Sequence, residues 1–183
     1  MKRRWDEIIE RLPKDRPIIG AELGVWQGKL SRELLEALPQ LTLYMVDRWR
    51  AMPPGHAYLD SGSQVATANQ ELYDKAYETV VRLTTFAGNR ARIMKMDIDE
   101  FAKVPFDFDF VFIDADHTYE AVKKNIHDYL VRVADGGLLC GHDYDNKQSD
   151  KWGVKKAVDE FVELGGFELE IGDDHTWFVR LPE

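Results

Sequence analysis

The chain has one cysteine, Cys140, among its 183 residues. A single thiol cannot close an intrachain disulfide, so a disulfide framework is excluded. Its place in the apolar run 138–141 reads as that of a small buried hydrophobe. No apolar stretch approaches the ~20 residues of a membrane span. The opening MKRRWDEIIERL has early positive charge but no apolar segment behind it, which is not the layout of a secretory signal. Positive charge is itself in deficit: Lys and Arg number 24 against 33 Asp and Glu, for a formal net charge of −9. Basic residues occur only as short pairs such as Lys123-Lys124 and Lys155-Lys156. A nucleic-acid backbone asks for a basic stripe, so that partner is disfavoured. Internal repeats, low-complexity tracts and interdomain linkers are also missing. The expectation is one cytoplasmic domain over residues 1–183, with no membrane or nucleic-acid partner and with homo-oligomerisation left open.

What is present is ordinary in amount and informative in order. Hydrophobic residues make up 44% and charged residues 31%, enough for a real core. Trp5, Ile8, Ile9 and Leu12 share a helical face over residues 4–12. Residues 18–23 read as a buried strand, and Leu30, Leu34, Leu35 and Leu38 as a helix. Residues 41–46 form a second strand closed by Asp47. The stretch 48–65 carries Pro53-Pro54-Gly55 and Ser61-Gly62-Ser63, turn chemistry in a loop long enough to be a lid. Trp49 and Tyr58 are its expected acceptor contacts. A helix is expected over 66–86, a third strand over 91–96, and a short helix or turn over 97–103.

The densest signal runs from Phe108 to Asn146. Two apolar runs, 108–113 and 137–141, each end in a polar cluster: Asp114-Ala115-Asp116-His117, then His142-Asp143-Tyr144-Asp145. Between them Val122, Ile126, Tyr129, Leu130 and Val133 keep helical spacing, and Gly136-Gly137 reads as a turn into the fifth strand. That is a βαβ unit, whose crossover brings both strand ends to one edge of the sheet. Open α/β sheets bind ligands at that edge. A further helix (Val154, Ala157, Val158, Phe161, Val162) and a hairpin from 167–171 and 176–181 complete the order. Five βα units and a terminal hairpin predict a three-layer α/β sandwich.

The first strand runs into Gly20-Ala21-Glu22-Leu23-Gly24-Val25-Trp26-Gln27-Gly28. Glycines here let backbone approach a ligand closely. The spacing GxxxGxxxG departs from the GxGxxG of dinucleotide sites. Glu22, two residues before the middle glycine, suits a ligand bearing an amine better than one bearing phosphates.

ELGVWQG resembles the first motif of the class I S-adenosylmethionine-dependent methyltransferases, and the likeness extends in register over residues 15 to 182. It implies a Rossmann-like seven-stranded sheet of order 3-2-1-4-5-7-6 with an antiparallel terminal strand. It also implies that S-adenosylmethionine is held by Glu22, Leu23, Gly24, Gly28, Asp47, Asp97, Ile98 and Asp114. Asp47 would accept from both ribose hydroxyls, as an acceptor-only carboxylate can. Asp97 would read the adenine amine, although a helix N-cap role is open to it. The position after strand four lacks the Asn/Asp-Pro-Pro-Tyr type motif of many nitrogen methyltransferases. DADHTYE and GHDY instead resemble the small metal-dependent O-methyltransferases. By that likeness Asp114, His142 and Asp143 would hold a divalent metal such as Mg²⁺, and His117 would be the base that deprotonates a small hydroxylated acceptor. His142 departs from the acid or amide usual there, and imidazole suits other metals better than Mg²⁺. Three alternatives stay open: a metal-independent methyltransferase with His117 as sole base, a nucleotide-binding oxidoreductase, and a non-catalytic cofactor-binding module. His56, His127 and His175 read as surface residues.

Overall fold

A computed structural model describes residues 2–146 and 152–183. Helix α1 (Arg4–Arg11) precedes strand β1 (Ile18–Leu23), α2 (Lys29–Ala37) and β2 (Leu41–Asp47). A 3₁₀ turn at Ala57–Ser61 leads to α3 (Gln70–Thr84), a second 3₁₀ segment at Thr85–Arg90 and β3 (Ala91–Lys95). Then come α4 (Ile98–Phe101), β4 (Phe108–Ile113), α5 (Tyr119–Leu130), β5 (Val133–Gly141), α6 (Val154–Gly165), β6 (Glu170–Ile171) and β7 (Trp177–Arg180). The sheet order is β3-β2-β1-β4-β5-β7-β6, with β1 to β5 parallel and β7 antiparallel to β5. This is the expected Rossmann-like arrangement. No helix of the described residues is long and apolar enough to cross a membrane.

The two faces of the sheet carry separate cores because side chains alternate along each strand. In β4, Phe110 and Phe112 pack with Leu30, Leu34 and Val80 on the side of α2 and α3. Val111 and Ile113 point the other way, onto Val122, Ile126, Ala157 and Val158 of α5 and α6. Parallel strands buried on both faces read as continuous apolar runs, which is why β4 stands out in sequence.

Three boundaries differ from expectation. Helix α3 begins at Gln70 rather than 66, because the Asn69 side chain caps it by accepting from the Leu72 N–H at 3.0 Å, a contact worth ~1 kcal/mol. Val133 belongs to β5 rather than to the preceding helix. It pairs with Phe108 ahead of a register shift, and Gly136 at φ 68° lies within the strand instead of starting it. The terminal hairpin pairs only Glu170–Ile171 with Trp177–Arg180.

Gly24 shows why the first loop needs glycine. Its φ is +88°, and a Cβ there would lie 2.1 Å from the carbonyl oxygen of Asp114. Gly55, at φ +81°, has nothing within 4 Å of where a Cβ would stand. Gly55→Ala should therefore cost only the ~1–2 kcal/mol of a left-handed alanine, whereas Gly24→Ala should cost more than about 3 kcal/mol. Urea unfolding of both variants checks this; equal losses would contradict the close approach of β1 and β4.

Candidate active site

The C-terminal ends of β1 to β4 open into a cavity of about 640 Å³. Glu22, Gly24, Asp47, Asp97, Ile98, Asp114 and His117 all line it. Leu23 and Gly28 do not. The Leu23 side chain is buried in the core beneath α5 and α6, and its carbonyl accepts from the Asp114 N–H at 2.8 Å. Gly28 is left-handed at the start of α2, where a Cβ would lie 2.9 Å from Val80 Cγ2. Both shape the loop rather than face the cavity.

Asp47 organises this wall. Its Oδ2 accepts from the backbone N–H groups of Val25 (3.1 Å) and Trp26 (2.9 Å), and its Oδ1 from that of Trp49 (2.8 Å). Burial raises its carboxyl above the usual range against the pull of those donors. The two tryptophans it ties down are left-handed, at φ 52° and 41°, a strained conformation for large side chains. Trp49 does not touch the cavity as its loop position suggests. It is fully buried, donating from Nε1 to the Trp26 carbonyl at 2.8 Å and packing edge-on against Tyr77. The indole finds an apolar slot behind the glycine loop, so Trp49 supports that loop instead of an acceptor.

Asp97 sits at the N-cap position of α4 but makes no side-chain cap; it pairs with Arg50 at 3.1 Å. Glu22 is buried, and the Ser31 hydroxyl donates to its Oε2 at 2.5 Å. Burial pushes its carboxyl up to about 8, from an ordinary 4.5. A folded-state value above the unfolded one contributes stability that is complete below ~4.5 and lost as pH rises through about 8. Glu22→Gln should therefore flatten the fall in stability between pH 6 and 9. It should leave the variant more stable than the parent at pH 9 by on the order of a few kcal/mol. Urea midpoints across that range measure it, and parallel pH profiles would contradict it.

On the opposite side the two acid–imidazole clusters meet, although only the first of them lines the cavity. His117 Nε2 lies 3.3 Å from Asp114 Oδ1 and 3.4 Å from Asp143 Oδ2. His142 Nδ1 lies 3.2 Å from Asp143 Oδ2 and 3.9 Å from Asp114 Oδ1. Asp114 and His117 face the cavity, while His142 and Asp143 lie behind them, with Asp143 left-handed at φ 61°. Burial opposes charge on Asp114, yet His117, His142 and Arg4 together hold its carboxyl well below the usual range. Asp143 is lowered in the same way, against its burial, by the hydrogen bond and charge of His142. Burial also opposes a charged His142, but Asp143 and Asp114 outweigh it and raise the imidazole.

Several contributors give no sequence signal. Arg4 of α1 reaches across to Asp114 Oδ2 at 2.7 Å and to Asp174 at 3.5 Å. Trp152 lies against the His117 ring at 4.5 Å and donates from Nε1 to the Ser61 carbonyl at 2.5 Å, joining the 48–65 segment to the cluster. Tyr58, expected as an acceptor contact, lines the cavity and meets His117 edge-on at 5.5 Å. His56, read as a surface residue, also lines it.

A sheet of this order, with strand-end acids around one cavity, defines a class I methyltransferase fold. A family model described as "Methyltransferase domain" matches residues 21–144, and the chain belongs to that family. Among solved structures it is similar to the O-methyltransferase NovP, with 20% identity and a TM-score of 0.70, covering 98% of this chain and 80% of that one. It is also similar to the calicheamicin methyltransferase CalS11, with 16% identity and a TM-score of 0.72 over 98% and 77% of the two chains. A third is the N-methyltransferase NodS from Bradyrhizobium japonicum WM9, with 16% identity and a TM-score of 0.64 over 98% and 95%. These likenesses share the fold across oxygen and nitrogen methyltransferases alike. No curated protein matched.

Proposed function

We propose that this methyltransferase uses S-adenosylmethionine to methylate a hydroxyl oxygen of a small acceptor. The observation that carries the reading is one cavity with two unlike walls. One wall offers Glu22, Asp47 and Asp97 beside a left-handed glycine loop; the other offers Asp114 and His117. An ammonium group favours the charged form of the carboxylate it meets, which suits buried Glu22 to the amine of the donor. Asp47 keeps acceptor capacity for ribose hydroxyls beyond its three backbone donors, since a carboxylate offers about four lone-pair sites. Solved relatives carry the same ligand class: the structure of TomG is a complex with SAM, and that of PaMTH1 is SAH-bound.

A hydroxyl is a poor nucleophile at neutral pH, so oxygen transfer needs a group that takes its proton. His117 is the imidazole of the cluster that faces the cavity, and imidazole is the side chain most often used as a general base. In-line transfer then depends mainly on holding acceptor and sulfonium in register. Trp152 and Tyr58 fix the His117 ring for that purpose.

A second reading, metal assistance, is favoured by the convergence of Asp114, His117 and Asp143, whose donor atoms all lie within 4.8 Å of one another. Asp114 and Asp143 would hold a divalent cation, with His117 or His142 beside them. Such an ion supplies acidity by lowering the pKa of a bound hydroxyl.

The test is incubation with S-adenosylmethionine labelled in the methyl group and a panel of hydroxylated and aminated small molecules. Label recovered in a methyl ether supports the reading. Label recovered only in N-methyl products would overturn it.

A further inference from the structure

The Glu22 side chain has one hydrogen-bond partner among the described residues, the hydroxyl of a serine that no motif singles out. We infer that Ser31 is a positioning residue for the donor, leaving Glu22 Oε1 to meet the incoming ammonium group, and that the Glu22 carboxyl gives up a proton to solvent as that ammonium arrives. This deepens the donor-site reading above and rests on it.

The surroundings of Glu22 are apolar. In the sheet it stands between Met45 of β2 and Phe112 of β4, its partners in register. Both are fully buried and belong to the core on the side of α2 and α3. Residues in register share a face of the sheet, so the Glu22 side chain rises on that side too. There α2 covers it, with Leu30, Leu34 and Leu35 buried around Ser31. Ser31 is itself 0% exposed. A serine inside a helix commonly returns its hydroxyl to the carbonyl four residues earlier. This one donates across to Glu22 Oε2 at 2.5 Å. Glu22 Oε1 accepts from no described residue, and Glu22 lines the cavity. The hydroxyl thus ties one oxygen and leaves the other for a ligand.

The charges nearby set the state of the carboxyl before the donor binds. Asp114 at the end of β4 and Asp47 at the end of β2 are negative neighbours. Arg4 of α1 is the nearby cation, but it is engaged by Asp114 at 2.7 Å and Asp174 at 3.5 Å. A carboxylate buried without a counter-charge is costly, and such a group takes up a proton instead. Burial accordingly pushes this carboxyl up to about 8. At pH 7 it is then a neutral acid, with its proton on Oε1 because Oε2 accepts from Ser31. A donor ammonium brings the missing positive charge. The carboxylate–ammonium pair forms, the Oε1 proton leaves to solvent, and no other bond changes.

The experiment is calorimetric titration of the unmutated protein with S-adenosylhomocysteine at pH 7, in phosphate and in Tris. The two buffers differ in ionisation heat, so the difference between the measured heats counts protons. About one proton should be released per ligand bound, and affinity should rise about tenfold from pH 6 to pH 7. Glu22→Gln should release none and lose that rise. Ser31→Ala should weaken S-adenosylhomocysteine by roughly fivefold or more, because a hydrogen bond to a charged group is lost. It should leave 5′-methylthioadenosine, which has no amino-acid moiety, within about twofold of the parent. Should Ser31→Ala fail to fold, Ser31→Cys, close in size but a weak donor, is held to the same criteria. Equal weakening of both ligands would make Ser31 a packing residue and overturn its positioning role. S-adenosylhomocysteine bound without proton release would overturn the proton step and leave the donor site standing. No binding of S-adenosylhomocysteine would overturn the donor reading and this inference with it.

Discussion

Asp47→Ala should weaken S-adenosylhomocysteine binding at least tenfold, the equivalent of ~1.4 kcal/mol. Two effects act in the same direction. The variant loses the carboxylate expected to accept from the ribose hydroxyls. It also strands the N–H groups of Val25, Trp26 and Trp49, which now share the two Asp47 oxygens. Each buried N–H left without an acceptor costs ~1–3 kcal/mol, so the glycine loop should loosen and the melting temperature should fall. The loop and the ligand can be separated. Asp47→Asn retains an oxygen for part of the loop, so it should recover much of the melting temperature, while a neutral amide accepts ribose hydroxyls less well. Calorimetry at low temperature on folded protein measures the affinity. Unchanged affinity in Asp47→Ala would remove the cofactor assignment from this wall.

The second large effect is catalytic. His117→Ala should lower turnover by at least ~100-fold, the lower end of what a positioned proton acceptor contributes, and a lost metal ligand would cost no less. Affinity for S-adenosylhomocysteine should stay within about twofold of the parent, because His117 contacts Asp114, Asp143, Tyr58 and Trp152 rather than the Glu22–Asp47 wall. Initial rates and calorimetry on the same preparation test both halves. Retained turnover would remove His117 from the chemistry. Lost turnover together with lost cofactor affinity would make its role one of holding the cavity together.

The sheet is readable in sequence because its strands are buried on both faces. Residues 108–113 are apolar at nearly every position and stop at Asp114, which leaves little choice of element or boundary. Val133 misleads for a complementary reason. It continues the helical spacing of Val122, Ile126 and Tyr129, and only its pairing with Phe108 draws it into β5. Local pattern carries no record of a partner strand. The apolar spacing of helix α3 runs four residues early, through Ala66, and the cap that decides the start is the Asn69 side chain.

The candidate site divides in the same way. Glu22, Asp47, Asp97, Asp114 and His117 lie at strand ends or just beyond, where topology alone brings them to one edge, and all five line the cavity. Arg4 is hidden because it arrives from 110 residues away on a helix whose sequence shows only an amphipathic face. Trp49 misleads because its loop position is exposed by composition, while its side chain folds back beneath the glycine loop to meet Trp26 and Tyr77.

The most direct test of the central claim is a calorimetric titration of the unmutated protein with S-adenosylhomocysteine, run beside one with NAD. The account predicts saturable binding of S-adenosylhomocysteine at one site per chain, and no comparable heat from NAD. Binding of NAD with no response to S-adenosylhomocysteine would contradict it.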